Sequence, residues 1–458
     1  MTCDISMNSG FNENFPKADI KHKPSDFIVE EIMPNGRILE LDEPFNCEDL
    51  DPEGKFVHFV LQKTNWDTNS ALQRVGRALH IGKKRFNHGG TKDKFAVTVQ
   101  RVSGFAIDKD KLLDLKLKDI KILGAWKEKE KVQLGNLAGN RFKIRVYTSS
   151  LPKMYPLFFN FFGPQRFGSS RCNTHLMGKD MMMGDYKGAV LRYLLDTKGE
   201  KSEIATTSRH RLEQEMDFKQ ALQYFPKYLR YERMLLGHLA DYPTDFIGAI
   251  RTLPRSTSLM FIHAYQSYIF NKCLAKRILD KNFEPYANEY KCNINKFGYP
   301  DVSSKNGDKI LVMNILGYES KTNELEDTVL EEEGITLEHF KLRSMPELSS
   351  KGNFRTALSI AHDLKIRKEE KIEEEKINEN KIQENNIVEE EKIKVDILED
   401  TIMTEFSLQP GSYASTFLLH YFTFDSLQGI PGFSLQCKQE SIDLLSSSFF
   451  GHILPEVL

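Results

Sequence analysis

One carboxylate, Asp93, stands between Lys92 and Lys94, just after Gly89-Gly90 and ahead of the run Phe95-Ala96-Val97-Thr98-Val99-Gln100. A glycine pair permits left-handed backbone and close approach of another chain. An ordinary aspartate, with a pKa near ~3.9, is ionised at neutral pH and can attack a carbon or remove a proton. An aspartate after such a turn is more commonly a turn or cap residue, and flanking lysines are more commonly solvated. The stretch therefore acquires chemical meaning only beside others. The next of these is Asn160-Phe161-Phe162-Gly163-Pro164-Gln165-Arg166-Phe167-Gly168, followed by Asn173-Thr174-His175. A phenylalanine there belongs to a core or offers a flat face to a ligand. Cys172 and His175 have ligand-like spacing, but without a second such pair they read as packing residues and no metal is expected.

The elements that must position these residues alternate along the first third of the chain. Phe56-Val57-His58-Phe59-Val60-Leu61 reads as a strand buried on both faces. Leu72, Val75 and Leu79 follow at helical spacing after cap candidates Thr68 and Asn69. Val97 and Val99 alternate with polar residues as a half-buried strand. Phe142, Ile144 and Val146 alternate with Lys143 and Arg145 as a strand with a basic outer face. Residues 186–345 read as more helical, with helical spacing over 186–195 and 218–239. The clearest helix spans 259–279, where Ile262, Tyr265, Ile269 and Cys273 form one apolar stripe, expected to face a core. From Phe406 to Phe422 the pattern turns from strand-like to helix-like around Pro410-Gly411.

Composition limits the rest. The 458 residues allow two or three domains, and 40% hydrophobic with 11% aromatic residues supports a large core. Net charge is −2, so no global basic field draws the chain to nucleic acid. The balance is uneven: between Lys365 and Asp400 there are 8 basic and 13 acidic residues, which leaves the remainder mildly basic. Within 366–400, isoleucines recur every four to six residues, matching neither helical nor coiled-coil periods. The tract is expected to be a low-complexity, disordered or transiently helical insertion. Six scattered cysteines without a CxxC pair indicate reduced thiols rather than a disulfide scaffold. The first residues lack an apolar signal core, and no apolar run approaches the ~20 residues of a membrane span. A nuclear or cytoplasmic location, no membrane association and a monomer are expected. There is no G-x-G-x-x-G and no P-loop, so no nucleotide cofactor is expected.

Taken in order, the motifs resemble those of the TruD family of RNA pseudouridine synthases. The first is Lys21 followed by Pro24, Asp26, Phe27, Val29 and Glu31 in the pattern P-x-D-F-x-V-x-E. Lys63 and Thr68 come next, then Gly90-Thr91-Lys92-Asp93 with Ala96, Thr98 and Gln100, and then the N-x-F-G-x-Q-R-F-G run from Asn160. Thr174-His175, Gly178, Gly184-Asp185 and Ala189-Val190 follow. His263-Ala264-Tyr265-Gln266-Ser267-Tyr268-Ile269-Phe270-Asn271 resembles the helix of the family's inserted domain, and Pro410-Gly411-Ser412-Tyr413-Ala414-Ser415 its C-terminal motif. The resemblance spans residues 20–420. The inserted domain and the charged tract fit a eukaryotic branch. His88-Gly89 replaces a Tyr-Ala pair common in the family, and Leu419-His420 replaces an Arg-Glu pair. Residues 424–458 match nothing in the pattern.

The resemblance implies an α+β fold. A mixed-sheet catalytic domain would be formed by residues 20–185 and 350–458, with a helix-rich α/β domain inserted over 186–349 and a disordered leader over 1–19. It implies an isomerase without a cofactor that acts on uridine in RNA, tRNA first and possibly small nuclear or messenger RNA, with Asp93 as the catalytic carboxylate. Lys21 would keep that carboxylate charged, Phe162 would stack the flipped base, Phe27 would wall the pocket, and Asn160 and Glu31 would support it. Lys83, Lys84, Arg85, Lys92 and Arg166 are candidates for RNA-backbone contact, with Lys143, Arg145 and Arg171 behind them. Two other classes are compatible: an inactive RNA-binding or folding protein, and a uracil-releasing glycosidase, which needs a second carboxylate acting as acid.

Overall fold

The structure is a computed structural model that describes residues 15–148, 150–168, 170–369, 400–424, 431 and 433–447. Its centre is a ten-stranded sheet. Seven strands run β14-β15-β7-β2-β5-β3-β6, and β1, β4 and β16 pair off that path. In chain order these are β1 (Lys17–Ile20), β2 (Phe27–Ile32), β3 (Phe56–Thr64), β4 (Phe86–His88), β5 (Val97–Phe105), β6 (Ile120–Glu128) and β7 (Gly139–Thr148). The sheet is completed by β14 (His362–Glu369), β15 (Asp400–Leu408) and β16 (Thr423–Phe424). The β2–β5 pair is parallel and its neighbours antiparallel, so the sheet is mixed, as expected. A second, small sheet joins β8 (Leu157–Phe159) to β13 (Leu358–Ile360). A third holds β9 (Tyr290–Ile294), β10 (Pro300–Asp301), β11 (Ile310–Ile315) and β12 (Asn353–Thr356).

Local chemistry explains the elements next to the site. β3 is buried along nearly its whole length because β5 and β6 flank it. Its Val57, Phe59 and Leu61 meet α1 (Thr68–Ala78) in one cluster, while Val60 faces Trp126 and Phe45 in another. The N-cap of α1 is Asp67, whose side chain accepts from Ser70 N. Thr68 lies inside the helix and its hydroxyl serves another purpose. β5 is buried on both faces rather than half-buried, because a cluster covers each side. β7 alternates as its sequence requires. Phe142, Ile144 and Val146 are in the core, and Arg141, Lys143 and Arg145 point to buried carboxylates of Glu30 and Asp26.

The helices between α3 (Thr174–Met182) and α10 (Glu324–Glu333) pack around α9 (Arg255–Asp280). The intervening helices are α4 (Tyr186–Leu195), α5 (Glu203–Glu215), α6 (Phe218–Tyr224), α7 (Arg230–Asp241) and α8 (Phe246–Thr252), and α2 (Lys109–Leu113) lies earlier. The helical spacing over 218–239 is split, because Pro226 lacks an amide proton and cannot continue α6. The α9 stripe Ile262, Tyr265, Ile269 and Cys273 is buried as read. Each such apolar side chain is worth ~1.5–3 kcal/mol relative to exposure. α11 (Ala414–Leu419) and α12 (Leu435–Ser446) close the chain. One apolar cluster runs without a break from Ala18 on β1 to Leu445 on α12, through residues of both expected domains. Among the described residues no helix is long and apolar enough to cross a membrane.

Two segments differ from the sequence reading at their edges. The expected leader over 1–19 is corrected at its end: Lys17–Ile20 is a strand, pairing with β7 and β16, because Ala18 and Ile20 have a core face to join. Residues 1–14 lie outside the described residues. The expected insertion over 366–400 is corrected at both edges: residues 366–369 belong to β14 and 400 to β15, and residues 370–399 lie outside the described residues. These two strands pair antiparallel up to Glu369 opposite Thr401. Replacing residues 370–400 by the two-residue turn Asn-Gly keeps that register and shortens the closing loop. The variant is expected to melt, by scanning calorimetry, at a temperature no lower than the parent.

Candidate active site

Asp93 sits on a loop between β4 and β5 whose backbone is tied down at residues 89, 90, 92 and 93. Gly89 O accepts from Gly135 N at 2.7 Å, and Gly90 O from Gln100 Nε2 at 3.1 Å. Lys92 N donates to Thr68 Oγ1 at 3.0 Å, and that hydroxyl donates on to Gln100 Oε1 at 3.0 Å. Lys63 Nζ donates to the carbonyl of Asp93 itself at 2.8 Å. Thr68, Gln100 and Lys63 are buried, so these bonds act away from water. Neither Gly89 nor Gly90 has positive φ, contrary to the reading of that pair. Gly90 instead faces open space, and a Cβ there would meet nothing within 4 Å.

The side chain of Asp93 is about 30% exposed, and its Oδ1 meets Lys21 Nζ at 3.1 Å. Lys21 follows β1 with φ 63°, a left-handed conformation that disfavours a side-chain-bearing residue. The bend lays its ammonium over the Phe27 ring, 3.8 Å from the centroid. The neighbouring Asp26 is buried and holds the turn by accepting from Lys23 N, Arg145 Nη1 and Tyr147 OH. Gln165 Nε2 reaches Asp93 Oδ1 at 3.5 Å and joins the two distant motifs at one atom. Lys63 is the second cation near Asp93. Burial pushes its pKa down to about 8, against the opposing pull of the Asp93 charge.

Several expected contacts are corrected by what these side chains touch. Lys92 does not face RNA: its ammonium is buried 2.7 Å from Glu31 Oε2. Glu31, fully buried, also accepts from Arg101 N, so it anchors the loop and is not exposed to substrate. Lys143, Arg145 and Arg171 are committed to Glu30, to Asp26 and Glu369, and to Glu232. Lys83 and Lys84 are exposed and Arg85 partly so, on a short turn ahead of β4. Lys94 is exposed directly after Asp93, as a solvated turn lysine, and Phe95, passed over in the sequence, is exposed beside it.

Asn160 does not point toward a base. Its amide donates to Thr356 O and Oγ1, and its Oδ1 accepts from Arg355 Nη2 at 2.6 Å and Ser412 Oγ at 3.3 Å. It joins the Asn-Phe motif to β12 and to the Pro-x-Gly-Ser motif. Asn271 on α9 clamps the backbone of Phe162 by accepting from its N–H and donating to its carbonyl. Gly163 is required, since a Cβ there would lie 2.8 Å from Thr416 Oγ1. The Phe162 ring is only 5% exposed. Arg355 lies over it with the guanidinium carbon 4.0 Å from the centroid, and Arg166 at 5.3 Å. Burial pushes Arg355 down to about 10. No spacing in the sequence points to Arg355; only the pairing of β13 with β8 brings it to Asn160. His175 is buried between Phe167 and Tyr268, and burial holds its pKa near 4. Among the described residues no cluster suited to a metal ion occurs. His420 packs among Phe158, Phe159, Phe161 and Phe433, which accounts for the departure from the Arg-Glu pair by core packing.

A model of the family described as "tRNA pseudouridine synthase D (TruD)" matches residues 16–421. The chain belongs to the TruD family. It is 32% identical over 448 residues to a probable tRNA pseudouridine synthase D of Methanosarcina barkeri, covering 89% of this chain and 94% of that protein. It is 34% identical to the corresponding protein of Methanopyrus kandleri, covering 80% and 85%. The crystal structure of the putative tRNA pseudouridine synthase D from Methanosarcina mazei superposes with a TM-score of 0.63 at 30% identity, covering 89% of this chain and 94% of that one.

Two outcomes test the loop. Glu31→Gln leaves the Lys92 ammonium buried without a counter-charge and should cost ~3–5 kcal/mol in urea unfolding. Lys63 binds fewer protons folded than unfolded between about pH 8 and the ordinary lysine range. Its contribution to stability therefore rises with pH across that window. Lys63→Met should remove that rise, seen as a smaller gain in urea midpoint from pH 7.5 to 9.5 than in the parent.

Proposed function

We propose that this chain is a tRNA pseudouridine synthase in which Asp93 is the catalytic carboxylate. The observation that carries this is the convergence of Asp93, Lys21 and Gln165 on one oxygen, from three motifs far apart in the chain. The reaction breaks the C1′–N1 bond of uridine, turns the uracil and joins C5 to C1′. It gains and loses no electrons overall, so it needs no redox partner.

Asp93 can take part in two ways: by attack on C1′, or by removal of a ribose proton. Lys21 pairs with the carboxylate and directs one oxygen, while the other is left for the sugar. Lys63 fixes the peptide and adds positive field. The target uridine must leave its stack, at a cost of a few kcal/mol, and stacking on an aromatic ring returns ~1–3 kcal/mol. Phe162 and Phe27 are the rings on hand. Lys83, Lys84, Arg85 and Lys94 are the exposed cations suited to phosphates near the loop. The residues 186–349 would act as an inserted domain that helps select the RNA. Small nuclear and messenger RNA are further substrates that the same chemistry would accept. A eukaryotic placement rests on the inserted segment and charged tract alone; the relatives named above are archaeal and lend it no support.

Pseudouridine mapping in tRNA from cells with and without the gene tests the reading. One or more sites should vanish on deletion, return with the parent chain, and stay absent with Asp93→Asn. Restoration by Asp93→Asn would favour a folding role, and release of free uracil would favour a glycosidase. Lys21→Ala should lower the single-turnover rate ~100-fold or more with little loss in melting temperature, as expected for a group acting on reacting charge.

A further inference from the structure

The ring expected to stack the base has no free face in this structure. Two guanidinium groups lie over Phe162, those of Arg355 and Arg166. They are held very differently. Arg355 is buried and donates to Asn160 O, Asn160 Oδ1, Phe161 O and Gly411 O. Arg166 is half-buried, on the short turn that also carries Gln165. Its Nε is shielded from solvent and has no hydrogen-bond partner. Among the described residues its guanidinium makes no ion pair and no hydrogen bond, and it lies against the Phe162 ring. A cation over a ring and a base over a ring are interactions of similar strength. The exchange of one for the other at Phe162 therefore costs little net free energy, and Arg166, with fewer partners than Arg355, is the one that can leave.

We infer that Arg166 is a mobile catalytic cation. It covers Phe162 until a uracil stacks there, then pairs with the oxygens of that uracil as the glycosidic bond breaks. The inference rests on the synthase reading above and gives Arg166 a role other than phosphate contact. When C1′–N1 breaks, its electron pair moves onto the base. The negative charge spreads over N1, O2 and O4, whether Asp93 bonds to C1′ or removes the C2′ proton. A guanidinium beside those oxygens lowers the energy of the anion through paired, charge-assisted bonds. When C5 then bonds to C1′, the Asp93–C1′ bond breaks in the first route or the proton returns to C2′ in the second; the ring loses the C5 proton and N1 gains one, so atoms and charge balance. Arg166 donates hydrogen bonds throughout and transfers no proton. Arg355 stays behind as the fixed support of the ring.

A 5-fluoro substituent stabilises the uracil anion without help from the protein, and this separates anion stabilisation from phosphate binding. The test uses the full chain with tRNA transcripts made with uridine or with 5-fluorouridine. Because fluorine at C5 leaves no proton to lose there, the rate is read on both transcripts as disappearance of the starting nucleoside in single-turnover digests, with tRNA affinity measured at several salt concentrations. Arg166→Gln should slow conversion of uridine ~100-fold, with a clearly smaller loss on 5-fluorouridine. Arg166→Lys, which keeps the charge and loses the planar fork, should fall between and serves if the glutamine variant is poorly folded. An equal loss on both transcripts, with weaker binding and a shallower salt dependence, would make Arg166 a phosphate contact and overturn the inference. Unchanged rates on both would also overturn it. If the parent chain converts neither transcript, the synthase reading itself fails, and this inference with it.

Discussion

The site depends on a loop that cannot shift. Lys92 and Glu31 form an ion pair shut away from water on the inner side of the loop. A buried pair contributes little net stability over apolar packing, but losing one partner is very costly. It therefore fixes position more than it adds stability. The residue after Lys92 is Asp93, whose own carbonyl is held by another buried lysine. Between these two anchors the carboxylate has little freedom except at its side chain. Lys21, in a left-handed bend, then selects which oxygen is engaged.

The same logic recurs around the aromatic motif. Asn160, Asn271, Ser412 and Arg355 spend their polar groups on backbone and on one another, so that Phe162 is held from three sides. None of these bonds is directed at a ligand. They convert a sequence motif that reads like a substrate-binding list into a rigid seat. Arg166 Nε is among the buried groups that have no hydrogen-bond partner among the described residues.

Much of the fold was legible because burial imposes a period. The β3 run, the alternation of β7 and the α9 stripe could be read directly, since each faces a core on a fixed set of positions. Asp93 itself was legible only through motif order. Nothing in its own surroundings distinguishes it from a turn aspartate. The charged residues were read least well. Lys92, Lys143, Arg145 and Arg171 look like surface cations in a string of letters, yet each meets a carboxylate from a distant strand or helix. Such pairing is a property of sheet order, which local sequence does not carry. Arg355 was missed for the same reason, because its partner Asn160 lies just past a strand almost two hundred residues earlier.

The central claim is that an extruded uridine places its sugar carbon against the Asp93 carboxylate. The most direct measurement is a structure of the Asp93→Asn protein bound to unmodified tRNA. The account predicts C1′ of one flipped uridine within ~3–3.5 Å of the residue-93 side chain, its base on Phe162 and Arg166 swung off the ring. A flipped nucleotide seated elsewhere, with residue 93 facing solvent, would contradict it.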